Sequence, residues 1–340
     1  MRARDLGIVV GSLEPGPNDA ITDVEGVRVG HTTLIEGEDV RTGVTVVVPP
    51  EELLFAAPFR LNGNGEMTGL ECIREFGVLT TPVGITNTHS VGVVRDALVR
   101  VAVGRKDAPD WSLPVVAETW DGFLNDINGF HVRDEHVAAA IEAASDGPVA
   151  EGNVGGGTGM ICHEFKGGIG TASRRTEDGH TVGVLVQANH GQRRRLRLLG
   201  APVGEELGAD RIPTPGGPEG AGSIIVLVAT DAPILPHQCA RLAKRAALGI
   251  GRTGGLGEDS SGDILLAFAT GNRGLSFSES ATVTSRWRMN DLFEAAVDAT
   301  EGAILNALLA AETMTGIDGH TAHAIDVDAL LEVLQHYGRR

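Results

Sequence analysis

The sequence predicts an α/β or α+β fold in which helices cover β-sheets. Apolar runs rich in β-branched residues alternate along the chain with segments of helical periodicity. With 42% hydrophobic and 21% charged residues among 340, the chain has enough apolar surface for a core and too little charge to stay disordered. Because no long linker, internal repeat or shift in composition divides the chain, we expect a single domain spanning residues 1–340.

Strands are predicted where an apolar run is bounded by glycine, proline or asparagine. The segment that opens with Ser223 is apolar at every following position up to Ala229. Such a run is typical of a strand buried on both faces. In chain order the predicted strands span residues 43–48, 81–87, 113–118, 167–172, 181–189, 223–230, 263–270 and 281–285.

Helices are predicted between these strands, where apolar residues recur on one face. The clearest begins at Asp291, where Glu294 completes a cap-like pattern and Val297 and Ile304 share the apolar face. Residues 201–222 break the alternation, because they are rich in glycine, proline and acid without periodicity, and such loops are uncommon unless functional. In chain order the predicted helices span residues 66–76, 89–103, 134–144, 235–248, 291–314 and 326–337.

The charge of the chain argues against general binding to nucleic acids or to anionic membranes. Lys and Arg number 28 against 45 Asp and Glu, and the formal net charge of −17 repels polyphosphates and anionic lipids. No apolar stretch of secretory length follows the basic start, and nowhere do about eighteen apolar residues run together. We therefore expect a cytoplasmic protein without nucleic-acid or membrane partners.

Common catalytic and metal-binding motifs are absent from the sequence. It has no G-x-S-x-G elbow, no H-E-x-x-H pair and no phosphate-binding P-loop. The three cysteines, Cys72, Cys162 and Cys239, cannot all pair within one chain, and none belongs to a C-x-x-C motif. His320 and His323 have no neighbouring ligands that would complete a metal site. We expect neither a metal nor a cofactor.

Glycine is unusually frequent, with 47 residues against nine Phe, three Trp and one Tyr. No collagen-like period accounts for it, so we expect these residues in turns, in tight packing and at close approaches of the backbone. The richest run, residues 152–159, lacks the G-x-G-x-x-G spacing of a dinucleotide site. It is interpreted as a tight turn or as a close approach of two backbones.

The junction between Gly222 and Ser223 suggests a chemical hypothesis. Ser223 opens the buried strand directly after the glycine that ends the irregular loop. If the bond between them is strained, the serine hydroxyl attacks the glycine carbonyl, where the missing side chain removes obstruction and allows unusual dihedral angles. Cleavage leaves Ser223 as a chain terminus, whose α-amine, with a reference pKa of about 7.7–8.0, serves as the base for its own hydroxyl.

Six segments along the chain match motifs of one known family, in the order in which that family has them. They span residues 18–31, 61–69, 115–122, 183–191, 222–233 and 260–270. On these segments the chain resembles the family of L-aminopeptidase D-amidase/esterase (DmpA) and β-peptidyl aminopeptidases. The resemblance implies an α+β, four-layer αββα sandwich and self-cleavage before the serine into residues 1–222 and 223–340. It also implies a cofactor-free aminopeptidase that acts on short peptides, amides or esters, and a homo-oligomer, a tetramer, of processed αβ pairs.

The resemblance assigns catalytic roles to four residues. Ser223 matches the nucleophile, and Asn189 matches an asparagine whose amide N–H stabilises the oxyanion. Ser261 and Asp263 match a pair that lies beside the nucleophile. Because residues two apart on a strand share a face, the carboxylate can orient the Ser261 hydroxyl, and both groups can hold the α-amine of Ser223.

The resemblance also points to residues that bind substrate. Glu118 matches an acid that pairs with the free amino group of the substrate, and Asp121 is the second candidate. Asn62 and Asn64 are expected to line the pocket. Relatives place a tyrosine close to the acid, and here Trp120 stands in that segment with an N–H donor and no hydroxyl.

Two alternatives stay open. The fold also resembles that of ornithine acetyltransferase and nylon-oligomer hydrolase, in which a threonine usually replaces the nucleophilic serine, so Ser223 favours the peptidase. The chain also fits a catalytically silent relative that uses the fold without self-cleavage. An intact bond between Gly222 and Ser223 in the folded protein would favour this second alternative.

Overall fold

Two β-sheets stack face to face, and helices cover the outer face of each. This architecture is the α+β, four-layer αββα sandwich that the resemblance implies. The computed structural model describes residues 1–50, 53–104, 109–216, 222–275, 280–285 and 288–340. None of the helices in these ranges is both long enough and apolar enough to cross a bilayer.

The described residues form strands and α-helices in alternation. The strands are β1 (Arg28–Glu36), β2 (Val40–Val48), β3 (Leu54–Gly63), β4 (Val78–Leu79), β5 (Val83–Asn87), β6 (Val115–Thr119), β7 (Ile161–Cys162), β8 (Phe165–Lys166), β9 (Gly168–Arg175), β10 (Thr181–Asn189), β11 (Ser223–Thr230), β12 (Gly262–Ala269), β13 (Met314–Thr315) and β14 (Thr321–Ala322). The helices are α1 (Leu70–Phe76), α2 (Val91–Val103), α3 (Asp134–Glu142), α4 (Val203–Glu206), α5 (Pro236–Arg252), α6 (Met289–Ala310) and α7 (Val327–His336).

The larger sheet places the predicted nucleophile. Its strand order is β4-β3-β12-β11-β10-β9, and that of the smaller sheet is β1-β2-β5-β6. The central strand β11 is buried along its whole length, with Ile225 and Leu227 in the apolar layer between the sheets and Ile224 and Val226 in the layer under the helices. Side chains alternate along a strand. Ser223 therefore points to the same side as Ile225, toward the smaller sheet.

The helices complete the sandwich on both outer faces. Helices α5 and α6 pack on the larger sheet, and α2 and α3 pack on the smaller one. Helix α6 is buried nearly all round, because it lies between α5 and the strands β9 and β10. Apolar side chains fill the three spaces between the four layers, and burial of this apolar area is the main force that holds the layers together.

The abundance of glycine is explained in part by close packing. At Gly170 on β9, a Cβ would lie 2.0 Å from the carbonyl oxygen of Ala303, so α6 can approach the sheet only because the side chain is missing. In the glycine run at 152–159, a Cβ on Gly157 would lie 2.4 Å from the backbone nitrogen of Ile169. The close approach of two backbones predicted for this run is therefore confirmed.

Most predicted elements are present, with bounds that shift by a few residues. Strands β10 and β11 have the predicted bounds, whereas the sequence patterns do not predict β1 or β3. The strand predicted at residues 281–285 is wrong: this segment joins no sheet, and the N–H of Thr284 donates instead to the carbonyl of Pro233 at 2.8 Å. The irregular loop 201–222 contains the short helix α4, and its residues 217–221 lie outside the described ranges.

Candidate active site

The predicted nucleophile and the predicted oxyanion residue are direct neighbours. Ser223 is the first residue of β11, and its cross-strand partner on the antiparallel strand β10 is Asn189, the last residue of that strand. Directly opposite residues of an antiparallel pair point to the same face of the sheet. The larger sheet thus presents a hydroxyl and an amide side by side at one edge, facing the smaller sheet.

Gly222 has a backbone that only glycine adopts readily. Its φ is +151°, and a Cβ at this position would lie 2.0 Å from the carbonyl oxygen of Asn189. A side chain is therefore excluded both by the dihedral angle and by contact with β10. The sequence hypothesis noted that glycine allows unusual dihedral angles before Ser223, and Gly222 adopts one.

Backbone N–H groups join the start of β11 to the start of β12 around Ser223 and Asp263. The N–H of Gly262 donates to Ser223 Oγ at 2.9 Å, and the N–H of Ile224 donates to Asp263 Oδ1 at 3.1 Å. The Ser261 hydroxyl donates to the same Oδ1. Asp263 Oδ2 is buried and has no hydrogen-bond partner among the described residues. Burial raises the pKa of Asp263 to about 6, against the lowering effect of these bonds.

The side-chain amide of Asn189 is held in one orientation. Its Oδ1 accepts the N–H of Ile161 at 2.7 Å, and its Nδ2 donates to the carbonyl of Trp120 at 3.0 Å. A primary amide has two N–H donors. In the described part of the chain the second donor has no partner, so it is available to a negatively charged oxygen at the Ser223 hydroxyl.

Glu118 lies near the end of β6 in the smaller sheet, across from Ser223 in the larger sheet. Its side chain is only 4% exposed, and each carboxylate oxygen already accepts one hydrogen bond, Oε1 from the N–H of Glu66 at 2.9 Å and Oε2 from the Thr88 hydroxyl. Burial raises the pKa of Glu118, and the two hydrogen bonds partly oppose this. The carboxylate keeps free lone pairs for a cation.

A pocket of about 580 Å³ connects Glu118 with Ser223. Trp120 forms part of its wall, with 42% of its surface exposed, and the indole packs over Gly122, where a Cβ would lie 2.7 Å from Nε1. A pocket of this size suits a small ligand. Its lining is Asn64, Gly65, Glu66, Thr88, Glu118, Trp120, Gly222, Ser223 and Ser260.

Two predicted substrate-binding residues lie away from the pocket. Asp121 is buried, and its carboxylate accepts hydrogen bonds from Asn87 Nδ2 and Asn125 Nδ2, both at 3.1 Å. The Asn62 side chain donates to three carbonyls of the segment before β12, including that of Ser261 at 2.6 Å. The side chains of Asp121 and Asn62 therefore stabilise segments next to the pocket and do not line it. Of the two predicted asparagines, Asn64 is the one that lines the pocket.

Several groups in the site carry no sequence signal. Gly262 and Ile161 act through backbone N–H groups, which every residue except proline offers. Thr88 follows β5 directly and Glu118 lies near the end of its parallel neighbour β6. Parallel neighbouring strands end at the same edge of a sheet. Knowledge that β5 and β6 are neighbours would therefore have predicted that Thr88 lies beside Glu118.

The described residues include one cluster of possible metal ligands, Cys162, His163 and His190. One potential ligand atom of each lies within 4.8 Å of the others, and all three residues are buried. Cys162 Sγ lies 3.9 Å from His190 Nδ1, and His163 Nδ1 lies 3.2 Å from the carbonyl of Gln192. Burial raises the pKa of the Cys162 thiol to about 12. We describe the cluster as contacts between buried side chains and assign no metal role to it.

Comparison with known proteins identifies the family. The model of peptidase family S58 matches residues 19–322. The chain belongs to peptidase family S58. A relative named beta-peptidyl aminopeptidase from Sphingosinicella microcystinivorans is 50% identical over 99% of this chain and 93% of its own. A relative of the same name from Sphingosinicella xenopeptidilytica is 43% identical over 98% of this chain and 91% of its own.

Solved structures agree with this membership of family S58. A beta-aminopeptidase from a Burkholderia species superposes with a TM-score of 0.93 and 52% identity, covering 100% of both chains. The l-aminopeptidase d-ala-esterase/amidase of Ochrobactrum anthropi, described as a prototype of the serine aminopeptidases with a variant of the Ntn-hydrolase fold, gives 0.92 and 45% identity over 99% of both chains. The present S58 protein is therefore a hydrolase, an aminopeptidase with this fold.

Proposed function

We propose that the chain cleaves itself between Gly222 and Ser223 and then removes N-terminal β-amino-acid residues from short peptides, amides or esters. The observation that carries this proposal is the shared pocket. It brings the Ser223 hydroxyl and the Glu118 carboxylate to one space, with the Asn189 amide beside the hydroxyl. The preference for β-amino acids is supported by the names of the two relatives at 50% and 43% identity.

Self-cleavage begins with attack of Ser223 Oγ on the carbonyl carbon of Gly222. The hydroxyl proton passes to a base, the C–O bond forms, the C–N bond breaks, and the nitrogen leaves as the protonated α-amine of Ser223. Water then hydrolyses the ester, which leaves a carboxylate on Gly222 and restores the hydroxyl. We assign the proton to Oδ2 of Asp263, because this oxygen has no partner among the described residues whereas Oδ1 already accepts the N–H of Ile224 and the Ser261 hydroxyl.

The two pieces, residues 1–222 and 223–340, stay in a single αββα domain after cleavage. Strand β11 lies between β10 and β12 and is buried from its first to its last residue. Leaving the sheet would expose this apolar surface and break both ladders of backbone hydrogen bonds. The new terminus at Ser223 is therefore held in the pocket.

The processed enzyme uses the α-amine of Ser223 as its base. With a reference pKa of about 7.7–8.0, this amine takes the proton of its own hydroxyl near neutral pH, and the oxygen attacks the carbonyl of the substrate. The second N–H of Asn189 stabilises the oxyanion, and loss of such a donor typically costs about 2.7–4 kcal/mol in the barrier. Asp263 and Ser261 hold the α-amine, and water releases the acyl group from Ser223.

Glu118 makes the enzyme an aminopeptidase in this proposal. An ammonium that leaves water must be paired, and a buried carboxylate with free lone pairs at the far wall of the pocket is a suitable partner. Trp120 covers the apolar part of the residue between that ammonium and Ser223. Substrates with a blocked amino group lose this pairing, so they should be poor substrates.

The decisive experiment is denaturing electrophoresis of the purified protein with N-terminal sequencing. We expect two bands, one of which starts at Ser223. The variant Ser223→Ala should remain a single inactive chain, whereas the control Ser112→Ala, in the loop before β6, should be cleaved and active. A single full-length band for the parent protein would refute self-cleavage, and normal activity of Ser223→Ala would place the nucleophile elsewhere.

We further propose that processed pairs assemble into a homo-oligomer, a tetramer, in the cytoplasm. Large apolar side chains on the surface of one chain support assembly: Phe76 is 65% exposed, Trp111 64% and Leu248 59%. Burying such groups against another copy is favourable. Light scattering coupled to gel filtration measures the mass, and a monomeric pair at micromolar concentration would refute the assembly.

A further inference from the structure

A strained hairpin lies directly behind the amide of Asn189. Strands β7 and β8 are joined by the two residues His163 and Glu164, whose φ angles are +50° and +60°. A two-residue turn with both φ angles positive is normally made by Asn-Gly or Gly-Gly, because other residues are strained there. Strain of this kind persists only where the surroundings impose it, and it often marks a functional constraint.

The hairpin sets the orientation of the Asn189 side chain. The N–H of Ile161, the first residue of β7, donates to Asn189 Oδ1 at 2.7 Å. The N–H of His163 donates to the carbonyl of His190 at 2.7 Å, which attaches the turn to the chain just after β10. Because one end of the amide is fixed by Ile161, the position of the hairpin decides where the amide N–H groups point.

Lys166 holds this hairpin from inside. Its Nζ is fully buried and donates to the carbonyls of Met160 and Gly167, both at 2.8 Å, with Gly157 at 3.5 Å. In the described part of the chain no carboxylate lies within ion-pair distance of it. Burial lowers the pKa of Lys166 to about 7. Burying a lysine amine without a counter-charge is costly, whether it is desolvated as an ammonium or deprotonated, so an apolar side chain would serve a merely structural role better.

The strained turn is anchored to the same segment of chain. His163 Nδ1 lies 3.2 Å from the carbonyl of Gln192, and the N–H of Arg193 donates to Glu164 Oε2 at 2.9 Å. Both anchors follow Asn189 by a few residues. Lys166 inside the hairpin and these two bonds at its tip therefore converge on the end of β10.

We propose that Lys166 is a positioning residue for the reaction: it holds the hairpin of residues 160–167 so that Ile161 captures Asn189 Oδ1 and turns the free amide N–H toward the oxyanion. The inference rests on the oxyanion role proposed for Asn189. It predicts that Lys166 acts on catalysis only through that amide and leaves the pocket wall around Glu118 unchanged.

A double-mutant cycle tests this coupling. Lys166→Met should lower kcat by about tenfold or more, with KM within about twofold, because stabilisation of the transition state is lost and binding is not. In a chain that already carries Asn189→Ala, the same change should lower kcat no further. Lys244→Met on α5 is the matched control, because this exposed lysine should leave kcat unchanged in both backgrounds. The value of kcat is calculated per self-cleaved chain. Where a variant cleaves itself slowly, the rate of self-cleavage is compared in the cycle in place of kcat.

A second pair of variants keeps the test independent of the buried lysine. Glu164→Gly relieves the strained φ but removes the anchor to Arg193, so kcat should fall several-fold in the parent and not in the Asn189→Ala background. Asp318→Gly is the control, since Asp318 has a φ of +56° and is exposed in the turn between β13 and β14. It should gain stability with no change in kcat.

The outcomes separate the two proposals. If Asn189→Ala retains the parent kcat, the oxyanion role fails and the positioning role fails with it. If Asn189→Ala is impaired but the Lys166→Met and Glu164→Gly losses add to it in full, the oxyanion role stands and the positioning role is overturned. A folded Lys166→Met protein with the parent kcat overturns the positioning role as well.

Discussion

The ammonium site at Glu118 allows a prediction with a defined magnitude. In Glu118→Gln the carbonyl oxygen can still accept the N–H of Glu66 and the amide can still meet the Thr88 hydroxyl, so the fold of the pocket is kept. What is lost is the charge that pairs with the substrate amine. A hydrogen bond to a charged group contributes about 1.5–3 kcal/mol, which corresponds to a fall in kcat/KM of about 10- to 150-fold.

The assay compares free and N-blocked p-nitroanilides of one amino acid. Glu118→Gln should lower kcat/KM for the free substrate and leave the slow cleavage of the blocked one unchanged. Glu66→Gln is the matched control, because Glu66 lines the same pocket but is exposed. Solvent screens such a charge, so its loss should cost no more than about fivefold. Equal cleavage of free and blocked substrates by the parent enzyme would refute the assignment.

The same carboxylate predicts a pH dependence. Burial raises the pKa of Glu118 above its usual value, so the protonated, neutral form is favoured as the pH falls through that raised pKa. The neutral form cannot pair with the ammonium, and KM for free amines should therefore rise toward acid pH. This acid limb should disappear in Glu118→Gln. A limb that survives the substitution would belong to another group.

Three further predictions follow from the geometry around Ser223. Gly222→Ala should remain an uncleaved 340-residue chain on electrophoresis, because its Cβ would lie 2.0 Å from the Asn189 carbonyl oxygen, whereas Gly216→Ala, with no atom within 4 Å, should be cleaved. The parent precursor can be made in a cell-free system and then transferred to buffers of different pH. Its cleavage should slow below about pH 6, because Asp263 becomes protonated there. Cleavage of Asp263→Asn should be slow at every pH. Trp120→Ala should raise KM about tenfold through lost apolar contact while kcat changes little, because its backbone carbonyl still holds Asn189.

The central strands could be predicted from sequence because they are buried on both faces. β10 and β11 consist of long apolar runs with clear terminators, and their bounds match the prediction. β3 escapes the pattern because Pro58 interrupts its apolar run and the polar residues Arg60 and Asn62 follow. The proline is tolerated because β4 is only two residues long and pairs with Leu54 and Phe55, so the rest of β3 is an edge.

The sequence indicates which segments contribute to the candidate site, but not which side chains of a segment reach the pocket. Ser223 and Glu118 line one pocket, and Asn189 is the cross-strand neighbour of Ser223. Asp121, three positions after the acid, is the second candidate in the sequence. It lies in the turn after β6, where its carboxylate is enclosed by two asparagine amides. Nothing in the local sequence distinguishes these two environments, because both depend on which segments pack against them.

The position of the proposed cleavage site answers a general problem of self-processing proteins. The bond to be cut must be accessible to its own nucleophile, yet the cut must not cost the fold its stability. Here the bond lies at the entry to the central strand, where Gly222 takes a φ open mainly to glycine and Ser223 is fixed by the N–H of Gly262. All side chains of β11 are buried on either side of the sheet. In the proposed reaction the cut therefore releases a charged amine beside Asp263 and leaves intact the apolar layers that hold the sandwich together.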